Sequence, residues 1–429
     1  MQRVGVVHII AFAVLLCEVS CSKEQIVGTE GLPVVRDTVY VSGIEAERIV
    51  SLEEYGVLPG NSAAENKANL QKAIDWASSS GAALYLPPVK GGYPMAGGID
   101  LCRGVSIIGS SSSAGCFDGV SVCGSVFVIS DRENVFMYLE SASRLTGLQF
   151  YYPEQAVSDP SEIIKYPPTL KLSPTRTSQG VTLTDLSFCG EYETMDFRRE
   201  LSLPCEQILI RNCRAYPLGG SFVSISHCYD IPRVIGCIVT PDVYSSFGRE
   251  LSSDIKSSMT SSGNYAYWFD NIDNLVLMDI AASTVYGGLY IGSATYGQLT
   301  GFSFENVNRG IYRTGNSGFN RTWMISSGNI NANIGEDTSD IHPIIITGYG
   351  YTSITGVCAE SRADEALSAR RGCCDFVYAG GSSVMNIGLA DCVMRDYMSD
   401  SPLTVANSKA RIRVMSCVDK FGNVFDFTY

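Results

Sequence analysis

Apolar residues in this chain come in short alternating runs rather than in long stretches. One series reads Asn274-Leu-Val-Leu-Met278, Gly301-Phe-Ser-Phe304, Trp323-Met-Ile325, Ser353-Ile-Thr-Gly-Val357, Val384-Met-Asn-Ile387 and Arg411-Ile-Arg-Val414. A second series lies between them: Phe222-Val-Ser-Ile225, Gly288-Leu-Tyr-Ile291, Gly310-Ile-Tyr-Arg313, Ile344-Ile-Ile346, Asp375-Phe-Val-Tyr378 and Pro402-Leu-Thr-Val405. Alternation with period two marks half-buried strands, and the Gly, Asn and Ser clusters between them mark turns. Cys189, Cys213 and Cys237 follow one another at a step of 24, with Leu186, Ile210 and Val234 each three residues earlier. A sandwich also has short strands, but it does not return one residue type at a fixed step. A period in the twenties indicates a solenoid. The pattern predicts an all-β parallel β-helix with about 24 residues per coil. Cys189, Cys213 and Cys237 are then expected to stack about 4.8 Å apart as an interior ladder of small apolar thiols.

One segment carries a helical period instead. Asn61 or Ser62 serves as its cap, Leu70, Ala73, Ile74 and Ala77 form its apolar face, and Gly81 ends it. At the start of a solenoid such a helix covers the open end and blocks edge-to-edge association. The expected organisation is a leader at 1–21 and one β-helix domain at 22–429. That domain has a capping segment at about 50–82 and an insertion at about 249–267 that breaks the coil rhythm. The leader reading rests on a basic start, Met1-Gln2-Arg3, followed by the apolar stretch Val4 to Leu16. Val19-Ser20-Cys21 resembles a bacterial lipoprotein cleavage site, which makes Cys21 a candidate for lipidation and membrane tethering, with plain secretion as the alternative. Either way the expected address is outside the cytoplasm: periplasm, cell surface or medium.

Composition narrows the function. Charged residues make up 17% of the 429, against about 25% in an average soluble chain, and the 42 Gly fit a body with a turn in every coil. The net charge of −13 argues against general nucleic-acid binding, because phosphate would be repelled. With 3 His, one of them in the leader, a multi-histidine metal centre is not expected. Of the 15 Cys, thirteen lie beyond Cys21, an odd number that cannot pair fully within the chain, and no CxxC repeat points to zinc.

The order of segments near the start then carries a resemblance. Glu54-Tyr-Gly-Val-Leu-Pro-Gly-Asn61, the helix Leu70-Gln-Lys-Ala-Ile-Asp-Trp-Ala77, Gly81-Ala-Ala-Leu-Tyr-Leu-Pro-Pro88, Gly92-Tyr93 and Gly104-Val-Ser-Ile-Ile-Gly109 follow in turn. This resembles the opening of the pectate-lyase superfamily, especially its rhamnogalacturonase/epimerase-like branch, over about 60 residues. The resemblance implies a single-stranded right-handed parallel β-helix with an N-terminal capping helix, acting on or binding polysaccharide. It does not specify the reaction. The Asp-Asp usual after the first turn is replaced by Ala63-Ala64-Glu65, and the chain has neither an Asp-Asp pair nor a Gly-His-Gly motif.

The residues themselves offer a groove. Asn306 to Gly335 contains no acid but holds Arg309, Arg313 and Arg321, with Tyr312, Phe319 and Trp323. Gln207 to Tyr229 is likewise acid-free and holds Arg211, Arg214, Tyr216 and His227. Guanidinium groups grip carboxylate or sulfate through paired hydrogen bonds, so a uronic-acid glycan is the expected partner. Tyr216, Tyr244, Tyr286 and Tyr312 sit shortly after the strands of successive coils, and Trp268 precedes an Asx-rich turn. Aromatic residues at repeat spacing form a stacking platform for sugars, or pack the flank of the solenoid.

These parts suit β-elimination at a uronic acid, in which a base takes the C5 proton while cations neutralise the carboxylate. His227, Tyr312, Tyr290 and Lys256 are candidate bases, and Arg309, Arg313 and Arg321 candidate neutralisers, with Arg214, Tyr216, Tyr244, Tyr286 and Trp268 completing substrate binding. Asp270 and Asp273 supply oxygens suited to Ca²⁺, or simply turn hydrogen bonds; Glu336, Asp337, Asp340 and His342 form a similar loop cluster. The leading expectation is therefore an exported lyase acting on an acidic glycan such as a glycosaminoglycan or pectin. A β-helical glycoside hydrolase and a non-catalytic glycan-binding surface protein are the alternatives. Two carboxyl groups flanking the scissile bond would mark the hydrolase, and no local motif announces them. The oligomeric state stays open.

Overall fold

The computed structural model describes residues 48–111, 115–315, 322–332, 341–360, 375–395, 397 and 401–429. Its strands form a right-handed parallel β-helix in which each coil contributes to three sheets, here A, B and C, met in that order along the chain. Sheet A stacks Ala83–Tyr85, Ser106–Ile108, Arg144–Thr146, Thr182–Thr184, Leu209–Arg211 and Arg233–Ile235, each parallel to the next. Sheet B stacks Val126–Ile129, Gln149–Tyr151, Ser187–Cys189, Arg214–Ala215 and Ile238–Val239. Sheet C stacks Leu170–Leu172, Met195–Phe197, Val223–Tyr229 and Tyr265–Ile272, then the ends of the long strands Leu275–Ile291 and Gly297–Arg313. Alternate side chains of every sheet point inward, so Leu183, Ile210, Val234, Leu277 and Leu299 stack in a solvent-free core.

The corner from A to B is made by one residue in the left-handed region: Gly147, Asp185, Asn212, Gly236, Asp279, Gly301, Ser327, Gly356, Asp391 and Ser416, with φ between 52° and 65°. Gly, Asn and Asp tolerate this conformation best, which is why they punctuate the sequence. The residue after each corner faces inward. Cys213 and Cys237 hold that position on adjacent coils, as do Cys392 and Cys417 near the other end. Cys189 does not belong to this column. Its coil is longer, because Thr182 pairs with Leu209, and the position facing Cys213 is occupied by Leu186, while Cys189 pairs with Tyr151 in sheet B. The 24-residue step from Cys189 to Cys213 therefore joins two different positions of the coil. Cys205 and Cys228 form a further stacked pair, and Cys116 and Cys123 a disulfide.

Helix α1, Ala63–Ser80, covers the first coils. The Ser62 hydroxyl accepts from the Glu65 N–H at 3.2 Å, and Gly81 closes the helix in the left-handed region. Leu70, Ala73, Ile74 and Ala77 are buried against the strands Tyr93–Met95 and Ile99–Leu101. Asn66, also buried, donates to the carbonyls of Leu58 and Pro94 and accepts from the Leu58 N–H, locking the helix to the preceding turn.

The insertion leaves sheet B after Val239 and re-enters sheet C at Tyr265. It carries helix α2, Ser253–Ser261, which packs beside the strands Leu275–Ile291 and Gly297–Arg313. Asn308 donates to the Thr260 carbonyl at 2.9 Å and Asn264 to the Gly219 carbonyl at 2.6 Å, fixing the insertion along the edge where sheet C begins.

Candidate functional site

The outer face of sheet C carries the residues with chemistry. In register on successive coils stand Lys171, Asp196, Ser224, Trp268, Tyr290 and Tyr312, each about 4.8 Å from the next along the axis. Two residues further along their strands, on the same side, lie Ser226, Asp270 and Gly292. The inward neighbours Ile225, Phe269 and Ile291 are fully buried, so the outer row is held on a rigid floor.

Trp268 and Tyr290 stack with centroids 5.5 Å apart and parallel planes, and Tyr312 meets Tyr290 edge-on at 5.6 Å. Tyr265, from the strand's start, touches Tyr286, Tyr290 and Tyr312. Arg309 lies over Tyr286 and Tyr312, 5.3 and 5.8 Å from the ring centres, a cation–π arrangement at the α2 edge of the face. On the other side of Trp268 the register position is Ser224, a side chain too short to cover an indole.

Beyond Ser224 comes a carboxylate cluster that the sequence reading did not find. Arg198 bridges Glu193 at 2.9 Å and Asp196 at 2.6 Å, and Lys171 reaches the second Asp196 oxygen at 2.7 Å. Burial raises the Glu193 carboxyl, and Arg198 only partly offsets this. For Asp196 burial acts in the same direction, but hydrogen bonds from Arg198 and Lys171 outweigh it and hold the group below the usual range. Asp270 is also raised, chiefly by burial; its Oδ2 accepts from Asn271 at 2.9 Å. A Cβ at Gly292 would fall 2.2 Å from Asp270 Oδ1, so only glycine there lets the carboxylate lie across the next coil beside Tyr290. Carboxyls shifted in opposite directions thus share one face, the kind of separation acid–base catalysis uses. The signal was faint: Glu193-Thr-Met-Asp196 spans a turn and a strand, so no motif spacing marks it.

His227 sits at a left-handed bulge, φ 48°, just past this row. Its Nδ1 lies 2.8 Å from the Arg199 carbonyl oxygen, which can only accept; Nδ1 therefore carries the proton and Nε2 is left as the acceptor nitrogen. Asp270 and His227 are close enough to interact electrostatically. Lys256 is half-exposed on α2.

Other expected site residues lie elsewhere. Arg313 is buried at 3% exposure, donating at 2.6 Å to Thr352 Oγ1 and to the Tyr349 carbonyl, and desolvation pushes its guanidinium down to about 10. It is an internal strut, not a carboxylate neutraliser. Tyr216 and Tyr244 are core residues; the Tyr216 hydroxyl donates to the Thr284 carbonyl at 2.6 Å. Arg214 belongs to sheet B, a different face. For Arg313 spacing gives the coil, but a one-residue offset along the strand turns the side chain inward. Among the described residues no three His, Cys, Asp or Glu side chains gather as a metal-ligand group, so Asp270 and Asp273 have no such set around them for Ca²⁺. His342 instead pairs with Asp375 at 2.9 Å inside the structure. Arg321, Glu336, Asp337, Asp340, Cys21 and the leader lie outside the described residues.

No family model matches the chain, and no curated protein matches it. Solved structures do. A tailspike of Acinetobacter phage vb_AbaP_AS12 superposes with a TM-score of 0.52 at 14% identity, covering 90% of this chain and 65% of its own length. The exopolygalacturonase of Thermotoga maritima gives 0.51 at 11%, covering 89% and 94%. The Dettilon tailspike protein gives 0.55 at 12%, covering 86% and 69%. This chain thus spans less than two thirds of the first of these tailspikes. The likeness is one of fold, the right-handed parallel β-helix.

Proposed function

We propose that this chain is an exported enzyme that acts on a polysaccharide laid along the outer face of sheet C, and that it hydrolyses a glycosidic bond there. The observation that carries the reading is Trp268 and Asp270, two residues apart on one strand and on the same side of it. The stacking surface and a carboxyl whose pKa burial raises are side by side. Asp270 protonates the leaving oxygen; Asp196, ionised and gripped by Arg198 and Lys171, faces it from two coils away and serves as base. Two coil steps and the two-residue offset along the strand put the two positions roughly 12 Å apart, which is nearer to the separation of about 6.5–9.5 Å used for inversion than to the separation of about 5 Å used for retention. Folds of this kind in an exopolygalacturonase and in phage tailspikes support a glycan substrate.

A second reading, β-elimination on an acidic glycan, is favoured by Arg309 among the tyrosines and by the acceptor nitrogen of His227. One assay separates them. Purified protein is mixed with pectins, chondroitin, hyaluronan, alginate and neutral glycans while reducing ends and absorbance near 232 nm are both recorded. Reducing ends without absorbance give hydrolysis; absorbance from an unsaturated uronate gives the lyase; binding without fragments refutes both.

A further inference from the structure

The outer face of sheet A carries a separate recess at the C-terminal end of the solenoid, about 790 Å³ in volume. Tyr351, Asn386 and Arg411 stand in register on three successive coils, and Ser353, Gly388 and Arg413 form the parallel row beside them. Gly388 is what opens the floor: a Cβ there would lie 2.8 Å from the Tyr351 hydroxyl, so the ring lies across the glycine. The last strand, Val424–Thr428, folds back antiparallel onto Ala410–Val418. Reciprocal backbone hydrogen bonds between Ile412 and Tyr429, at 2.8 and 3.2 Å, fix Tyr429 at the rim. Tyr351 and Tyr429 remain 41% and 55% exposed, so a ligand can reach both rings.

Arg411 and Arg413 are exposed on one side of one strand, about 7 Å apart by strand geometry. Among the described residues no carboxylate lies within ion-pair distance of either. In a chain of net charge −13, two exposed guanidinium groups over a glycine floor and between two tyrosines offer paired positive charge to an anionic partner. Guanidinium forks match carboxylates, and tyrosine rings cover the apolar faces of sugars. From this geometry we infer a second saccharide site, on sheet A, for a uronate-bearing oligosaccharide. It holds the chain of an acidic glycan without cutting it, and does not depend on the chemistry assigned to sheet C.

The test is calorimetric titration of the full chain with trigalacturonate, in a Trp268→Ala background so that sheet C contributes little. The double variant Arg411→Gln/Arg413→Gln is expected to bind about tenfold more weakly or worse, since two charge-assisted contacts are lost. Tyr351→Ala is expected to weaken binding while the melting temperature stays unchanged. The inference is overturned if the double variant binds within twofold of its parent. It is overturned equally if neutral galactotriose binds as well as trigalacturonate, or if inorganic sulfate alone binds as tightly. Loss of glycan cleavage in Asp270→Asn with trigalacturonate binding retained would leave the sheet A site standing, so the two proposals fail separately.

Discussion

Glu191 offers the sharpest test of the physical reasoning, because it is an acid with no route to water. It lies two residues before Glu193, fully buried, with Oε1 accepting from the Thr194 hydroxyl at 3.0 Å. No Lys or Arg pairs with it among the described residues, and Tyr152, Cys189 and Tyr244 are its neighbours. Burial pushes its carboxyl from an ordinary 4.5 up to about 7. The folded protein therefore holds this proton more tightly than the unfolded chain does. The stability this provides is complete below pH ~4.5, declines as pH rises toward 7, and is gone above it. At about 1.4 kcal/mol per pKa unit the whole effect is roughly 3 kcal/mol. Glu191→Gln keeps the shape and an acceptor for Thr194 but cannot titrate. Urea unfolding followed by circular dichroism at pH 5, 6, 7 and 8 should show the variant gaining on the native protein by about 2–3 kcal/mol across the range. A difference that stays flat with pH would refute the assignment of Glu191 as a buried, neutral acid.

Three further outcomes follow from the same geometry. Trp268→Ala should weaken oligosaccharide binding by about tenfold in calorimetry, because the stacking face goes while the fold floor beneath it stays. Asp270→Asn should cut turnover by about 10²–10⁴ and remove the fall in rate at high pH that the native acid imposes; reducing-end release across a pH series measures both. Arg313→Met should cost about 2–4 kcal/mol in denaturant unfolding, since Thr352 and the Tyr349 carbonyl lose a charged donor, yet leave the apparent KM for glycan unchanged.

The fold was legible because every coil repeats the same local necessity. Most left-handed corners hold Gly, Asn or Asp, with an apolar residue after them, so Cys213 and Cys237 announced a stack directly. The same rule shows why Cys189 misled: its coil carries extra residues, and equal spacing in sequence no longer meant equal position. The aromatic row was partly legible, since Gly-Leu-Tyr290 and Gly-Ile-Tyr312 are the same position on adjacent coils, and the structure pairs them. Arg313 was not, because its direction depends on strand phase to within one residue, and Tyr216 and Tyr244 lie outside the strands, where no alternation sets their direction. The carboxylates were least legible of all. Glu193, Asp196 and Asp270 come from a turn and two strands, and only the coil stacking brings them to one face.

The same corner explains why the chemistry gathers on sheet C. Near the start of the solenoid a longer segment, with the Cys116–Cys123 disulfide, lies between Ile108 in A and Val126 in B. From the next coil on the chain advances from A to B by three residues: Thr146 to Gln149, Thr184 to Ser187, Arg211 to Arg214, Ile235 to Ile238, Met278 to Ala281, Thr300 to Ser303. A one-residue left-handed bend has no room for an insertion, so past the first coils this edge stays plain. The long excursions instead leave between B and C, at 152–169 and 240–264, and pack against the flank where the sheet C strands start. Arg249 ties them to one another by donating to the Tyr152 and Pro153 carbonyls, and Ser252 donates to the Ser158 carbonyl at 2.6 Å. Sheet C is thus the one of the two neighbouring faces that gains a raised wall along its length. A wall beside a row of rings and carboxyls turns a flat surface into a groove, and a groove running along the axis fits an extended chain rather than a compact ligand. On the proposed reading, selectivity resides in this wall, built from loops, while the side chains of sheet C ride on coils whose register cannot shift without moving every core residue with them.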